Sequence, residues 1–135
     1  MPDGIVPEWN LCAAWIGILL GIATGSVHGL FFHDEQWLGG YGSWRRRITR
    51  LGHVSLFGLA FVNLAYVFTV DRLRPGATLF WPSVLFIVGA ATMPLICYLS
   101  AWDKRIRHLF FVPVLSLTLA TLLLLGRLLS VGRRS

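Results

Sequence analysis

Residues 11–32 read LCAAWIGILLGIATGSVHGLFF, an apolar run that contains no Asp, Glu, Lys or Arg. A helix that crosses a bilayer needs about 20 apolar residues, because each residue advances it about 1.5 Å through about 30 Å of hydrocarbon. Runs of similar length and character follow at residues 51–70, 79–101 and 109–129. Backbone polar groups cannot stay unpaired in lipid, so these runs predict helices. We expect an all-α integral membrane protein, a four-helix bundle with both termini on the same side.

The composition excludes an ordinary soluble domain. Of the 135 residues, 56% are hydrophobic and 13% are charged, whereas a soluble domain carries about 25% charged residues. The chain has room for one domain, covering residues 1–135. Its net charge of +6 does not predict nucleic-acid binding, because the cations cluster at the ends of the apolar runs. Cations at those positions set topology and meet anionic headgroups, so the lipid bilayer is the expected partner.

The basic residues also predict an orientation. Seven lie in the predicted loops that join the first helix to the second and the third helix to the fourth: Arg45, Arg46, Arg47, Arg50, Lys104, Arg105 and Arg107. The opposite side holds the other five: Arg72, Arg74, Arg127, Arg133 and Arg134. The positive-inside rule then places both termini on the outer, periplasmic side of a bacterial inner membrane. The first run is too long for a signal peptide and lacks a basic start, so it is interpreted as a retained helix.

Glycine recurs at every fourth position of the first run, at Gly17, Gly21, Gly25 and Gly29. This glycine zipper predicts a groove without side chains, into which another helix can pack closely. The same groove could instead admit a flat cofactor, and the pattern alone does not separate the two. In the second run, Asn63 lies in mid-membrane, where an amide must be paired and is expected to face other helices.

The histidines offer the clearest chemistry. His28 and His53 should lie at similar depth near one membrane face, with Gly21 and Gly25 beside them. Two imidazoles on facing helices could ligate the iron of one b-type haem (heme b) in a low-spin, electron-transferring site. A structural hydrogen bond or a contact to a quinone are the alternatives. His33 and His108 receive no assigned role beyond structure.

The start of the second run also resembles a known family. Residues 50–59 read RLGHVSLFGL. This stretch resembles the histidine-bearing helix of haem-copper-oxidase-like membrane proteins, in which a histidine opens an apolar, glycine-containing run. The resemblance implies a haem-ligand role for His53. Leu51 and Ser55 stand where those proteins commonly carry a second histidine, and the third run has none. The resemblance therefore implies a single low-spin haem and not an oxidase active site.

The leading functional prediction is a small integral subunit of a membrane complex, of a respiratory electron-transfer type, that ligates one haem through His28 and His53. The alternative is a cofactor-free structural or assembly subunit, which the glycine pattern favours equally. A quinone-contacting subunit and a small transporter are less favoured. A transporter normally needs buried carboxylates or bases, and no Asp, Glu or Lys lies well inside a run. No catalytic signature predicts an enzyme.

Overall fold

The computed structural model describes residues 5–73 and 79–133, which are helical or in short turns. The four α-helices are α1 (Ile5–Leu30), α2 (Trp44–Arg72), α3 (Phe80–Trp102) and α4 (Phe111–Gly132). Short 3-10 helices cover Trp37–Gly39 and Lys104–Phe110. Four helical segments are long and apolar enough to cross a membrane, so the predicted helical class is confirmed and the chain has the character of an integral membrane protein. Arg74 and Arg134, on which the predicted orientation partly depends, lie outside the described residues.

Helix α2 begins well before its apolar run, and this corrects the predicted loop. Ser43 caps the helix, because its Oγ accepts a hydrogen bond from the backbone N–H of Arg46 at 3.1 Å. The same Oγ donates to the carbonyl of Leu38 at 2.7 Å, which ties the cap to the preceding turn. A capped N-terminus satisfies an otherwise unpaired backbone donor. The arginine-rich stretch 45–50 therefore lies on the first turns of α2 and not in a loop.

The segment before α4 is also ordered. Lys104, Arg105 and Arg107 lie on a 3-10 helix, and so does His108, which was expected to open the fourth long helix. Asp103 starts this short helix by accepting a hydrogen bond from the backbone N–H of Arg105 at 2.9 Å. The turn lets the chain leave α3 and enter α4 over a short distance.

Three helices form the centre of the fold and the fourth lies beside them. Helices α1, α2 and α3 pack against one another, whereas α4 packs along α3 and joins an apolar cluster with Tyr66 of α2 through Ala120. Of the most apolar stretch of α3, 39% is buried inside the protein, against 17% for α1 and for the segment that contains α4. Helix α3 is therefore the central element and α4 flanks it.

The surface is apolar and the interior holds several polar groups. Large apolar side chains on every helix are exposed, as lipid-facing residues must be: Trp15, Leu19, Val54, Phe61, Leu95, Leu115 and Leu122 are examples. Between the helices, one apolar cluster joins Tyr66, Leu79, Phe86 and Ala120. Hydrophobic burial does not hold helices together in lipid, so close packing and hydrogen bonds must do so.

Contacts between α1, α2 and α3 that involve polar or aromatic side chains lie at the two ends of this group of three helices. We call the end formed by the start of α1, the second half of α2 and the start of α3 the asparagine end. The opposite end, formed by the end of α1, the start of α2 and the end of α3, is the histidine end.

Candidate functional site

The glycine face of α1 is packed directly against α2. A Cβ atom added to Gly17 would lie 3.1 Å from the carbonyl oxygen of Leu56 and 3.2 Å from the Cβ of Ala60. Both are atoms that cannot move without moving the helix. Gly29, the last glycine of the series, has nothing within 4 Å of its Cβ position and takes no part in this contact.

Aromatic side chains of α2 fill the rest of this face. A Cβ at Gly21 would lie 2.7 Å from the ring of Phe57, and a Cβ at Gly25 would lie 2.7 Å from Cε1 of His53. Real Cβ contacts are not this short, so each glycine provides the space that one ring of α2 occupies. The structure thus brings Gly21, Gly25 and His53 together, as part of the helix interface.

His28 and His53 lie side by side at the histidine end. Their ring centroids are 5.5 Å apart with an interplanar angle of 70°. His28 is only 9% exposed, and its ring also approaches those of Trp37 at 5.5 Å and Tyr98 at 6.2 Å. The paired histidines are thus enclosed by one ring from the α1–α2 connection and one from α3.

A hydrogen bond to α1 orients His53. Thr24 Oγ1 lies 3.1 Å from His53 Nδ1 and donates to the carbonyl of Leu20 at 2.8 Å. The contact joins α1 to α2 in either neutral tautomer of the imidazole, because a hydroxyl can both donate and accept. This contact gives the imidazole an interhelical structural role.

The glycine notches beside the histidine pair are filled by rings of α2. Phe57 occupies the notch at Gly21 and His53 occupies the notch at Gly25. A flat macrocycle could enter the groove of α1 only if these rings moved, so in this arrangement the groove serves the contact between α1 and α2. Within residues 5–73 and 79–133, no three or more His, Cys, Asp or Glu side chains are grouped to hold a metal ion.

A buried arginine closes the histidine end. Arg46 is 2% exposed, and its Nη1 donates to the carbonyls of Asp34 and Glu35 at 3.3 and 3.2 Å. Three aromatic rings surround the guanidinium carbon at 5.0–5.7 Å from their centroids: Phe32, Trp37 and Tyr41. Arg46 therefore holds the α1–α2 connection over the histidine pair. Sequence reasoning missed this role, because the contacts depend on how a non-helical segment folds back.

The neighbouring residues of α2 cap α3. Trp44 Nε1 donates to the carbonyl of Ser100, and Arg45 Nε donates to that of Ala101, each at 3.0 Å. Carbonyls in the last turn of a helix have no partner within the helix. Trp44 and Arg45 thus hold the end of α3 against the start of α2 at the histidine end. Their positions in the sequence did not predict these contacts.

Some buried polar atoms at the histidine end nevertheless make no hydrogen bond within the described residues. In the described part of the chain, three buried side-chain atoms have no hydrogen-bond partner: Arg46 Nε, the Tyr98 hydroxyl and Ser100 Oγ. All three atoms belong to the histidine end.

The asparagine end, by contrast, holds a closed polar network across three helices. Asn10 and Asn63 are fully buried, and Asn10 Nδ2 donates to Asn63 Oδ1 at 2.7 Å and approaches the carbonyl of Ser83 at 3.3 Å. Asn63 Nδ2 donates to the carbonyl of Leu59 at 2.9 Å, and Ser83 Oγ donates to Asn10 Oδ1. Asn63 thus faces other helices. Asn10 was missed because it precedes the apolar run, where an amide is expected at the water interface.

Comparison with known proteins adds no assignment, since no protein-family model, curated protein or solved structure matches this chain. The resemblance of helix 2 to haem-copper-oxidase-like proteins thus rests on the pattern of residues 50–59 alone.

Proposed function

We propose that this chain is a small integral subunit of a larger membrane complex, which it supports through helix packing and without a cofactor of its own. The observation that carries the proposal is the occupied glycine face. Gly17, Gly21 and Gly25 admit the backbone and rings of α2, so the groove in α1 serves contact between helices. The hydrogen bond between His53 and Thr24 gives the histidine the same kind of role.

The arrangement of α4 supports the assembly part of the proposal. Helix α4 lies at the edge of the fold against α3, and large apolar side chains lie exposed along its length, among them Leu115, Leu119, Leu122 and Leu129. The described chain outside the helices consists of short connections, too small to form a separate soluble domain. A subunit of this shape offers long helix faces for neighbours in the membrane.

The assembly is tested by isolating the tagged chain from its native membrane in a mild detergent. We expect it to migrate on a native gel with other subunits in fixed stoichiometry. Gly21→Leu disturbs the packing of α1 on α2 and should therefore weaken the assembly, whereas Gly29→Leu, a matched change on the same helix that meets open space, should leave it intact. A chain that migrates alone would overturn the proposal.

An electron-transfer subunit with one b-type haem is the second candidate. The observation that favours it is the side-by-side position of His28 and His53, with ring centroids 5.5 Å apart. The decisive measurement is a pyridine-haemochrome spectrum of the isolated complex, beside its His28→Ala and His53→Ala variants. Absence of a stoichiometric b-type signal from this chain supports the cofactor-free subunit. One haem per chain, lost in both variants, would establish the haem subunit instead.

For location, we infer a bacterial inner membrane with the histidine end toward the cytoplasm and both termini on the periplasmic side. Arg45, Arg46, Arg47 and Arg50 start α2 at that end, and Lys104, Arg105 and Arg107 follow α3 there. Cations favour the cytoplasmic face. A reporter that works only in the periplasm should show activity when it is fused to the C-terminus. Activity of a cytoplasm-specific reporter at the same position would contradict this orientation.

A further inference from the structure

The start of α2 carries positive charge that no group of the described chain neutralises. Arg46, Arg47 and Arg50, here called the arginine cluster, lie in the first turns of the helix. Positions three and four apart share a helix face, and like charges placed there repel. The N-terminus of a helix is itself positive, which adds to the repulsion. No carboxylate within residues 5–73 and 79–133 forms an ion pair with the cluster.

One aromatic ring joins two members of the cluster. The guanidinium carbons of Arg46 and Arg50 lie 5.0 and 5.1 Å from the ring centroid of Tyr41. Arg46 is buried and its Nε has no hydrogen-bond partner, whereas Tyr41 and Arg50 are exposed. A buried cation without a counter-charge is costly. An anion placed beside Tyr41 and Arg50 would offset that cost for both guanidinium groups.

The two carboxylates nearest in sequence do not supply this anion. Asp34 and Glu35 accept hydrogen bonds from Arg46 through their backbone carbonyls. The Asp34 carboxylate accepts a hydrogen bond from the backbone N–H of Gln36 at 2.9 Å. Within the described chain, these carboxylates therefore leave the charge of the cluster without an ion-pair partner.

The surface that continues from the cluster indicates the kind of anion. Arg47 and Arg50 head an exposed stripe of α2 at helical spacing, formed by Leu51, Val54, Gly58 and Phe61. Gly58 has nothing within 4 Å of its Cβ position, which leaves a shallow notch between Val54 and Phe61. A free phosphate would use only the cationic head of this stripe. A phospholipid would use all of it, with the phosphate at the arginines and an acyl chain along the apolar residues.

We propose that the arginine cluster and Tyr41 form a binding site for an anionic phospholipid, whose phosphate meets Arg47 and Arg50 and whose acyl chain lies along Leu51, Val54 and Phe61. Basic clusters beside a membrane helix attract anionic headgroups in this way. The buried guanidinium of Arg46 adds positive charge on the inner side of Tyr41, which favours binding of an anion. The hydroxyl of Tyr41 can donate a hydrogen bond to a phosphate oxygen. The site does not depend on the proposed subunit role.

The test uses the full chain in detergent and titrates dioleoyl phosphatidylglycerol or dioleoyl phosphatidylcholine, with bound lipid counted by native mass spectrometry. The two lipids share acyl chains and a phosphate and differ in net charge. We expect phosphatidylglycerol to bind at least about fivefold more tightly. One interfacial arginine accounts for about a fivefold change in affinity, so Arg50→Gln should weaken phosphatidylglycerol binding about fivefold and Arg47→Gln with Arg50→Gln about 25-fold.

Arg107→Gln is the matched control, because Arg107 is an exposed arginine at the same end of the protein. It should leave phosphatidylglycerol binding unchanged. Arg47 and Arg50 are both exposed, so their variants should fold normally, which circular dichroism verifies. Equal binding of the two lipids, or an equal loss in Arg107→Gln and Arg50→Gln, would overturn the proposal. Displacement of phosphatidylglycerol by millimolar inorganic phosphate would assign the site to a soluble phosphate and would also overturn it.

Discussion

At the asparagine end, the buried amides of Asn10 and Asn63 bond to each other, and Ser83 and the backbone take up their remaining capacity. At the histidine end, the buried atoms Arg46 Nε, Tyr98 Oη and Ser100 Oγ have no partner in the described chain. Both ends join the same three helices. The polar groups of the asparagine end thus pair with one another, whereas the histidine end keeps buried polar atoms without a partner within the described residues.

The largest expected effect contrasts two glycines of α1. Gly17→Leu places a side chain against the carbonyl of Leu56 and the Cβ of Ala60, which cannot move aside. Overpacking of this kind costs about 3 kcal/mol, so the free energy of unfolding in mixed micelles with dodecyl sulfate should fall by about that amount. Gly29→Leu, near the histidine end, meets open space and should change stability little. Equal losses for the two variants would contradict the packing of α1 on α2.

The asparagine network should give the next largest effect. Asn63→Ala leaves Asn10 Nδ2 without its closest acceptor in a buried site, and an unsatisfied group there costs about 2 kcal/mol. The measurement is again the free energy of unfolding, combined with Asn10→Ala in a double-mutant cycle. The coupling energy should be about 1 kcal/mol. Additive effects of the two substitutions would show that the amides act independently.

At the histidine end, Arg46→Gln should loosen the α1–α2 connection without unfolding the helices. The substitution removes the cation from three aromatic rings and weakens the bonds to the carbonyls of Asp34 and Glu35. Cation–π contacts in desolvated sites contribute about 2 kcal/mol. Backbone amides of residues 31–43 should then exchange hydrogen at least about tenfold faster, as mass spectrometry can measure. Arg47→Gln, one residue later and exposed, is the control, and an equal acceleration in both variants would argue against a specific clamp.

The smallest expected effect compares two buried serines of α3. Ser83 belongs to the asparagine network, so Ser83→Ala should lower the free energy of unfolding by about 1 kcal/mol. Ser100 Oγ has no partner in the described chain, so Ser100→Ala should leave stability within about 0.5 kcal/mol of the wild type. Thermal melting in detergent distinguishes the two. A large loss in Ser100→Ala would mean that this hydroxyl has a partner, and the contrast between the ends would weaken.

Much of the helical class followed from the sequence, because a bilayer imposes a length and an apolar character on any chain that crosses it. The glycine spacing indicated a face of α1 that can pack closely against another helix, since residues four apart lie on the same side of a helix. Asn63 indicated an interhelical contact, because an amide in an apolar run has few other ways to be paired.

The sequence did not predict which residues these positions contact. The sequence does not tell that Gly21 receives Phe57 and Gly25 receives His53, because the register between two helices depends on their whole surfaces. The sequence therefore favoured a second helix in the glycine groove and left a flat cofactor as the alternative. The boundary of α2 was also predicted late, since four arginines suggested a loop, whereas the Ser43 cap extends the helix through them.

What the sequence by itself determined is the set of apolar helices and the collection of cations between them, because both arise from local composition along the chain. Only the tertiary structure decided which polar groups find partners. It joined Asn10 to Asn63 across two helices, filled the glycine face with rings of α2, and left Arg46 and Arg50 around Tyr41 without an ion-pair partner in the described chain. Those outcomes depend on distances between segments that lie far apart in sequence, and such distances exist only once the helices have packed.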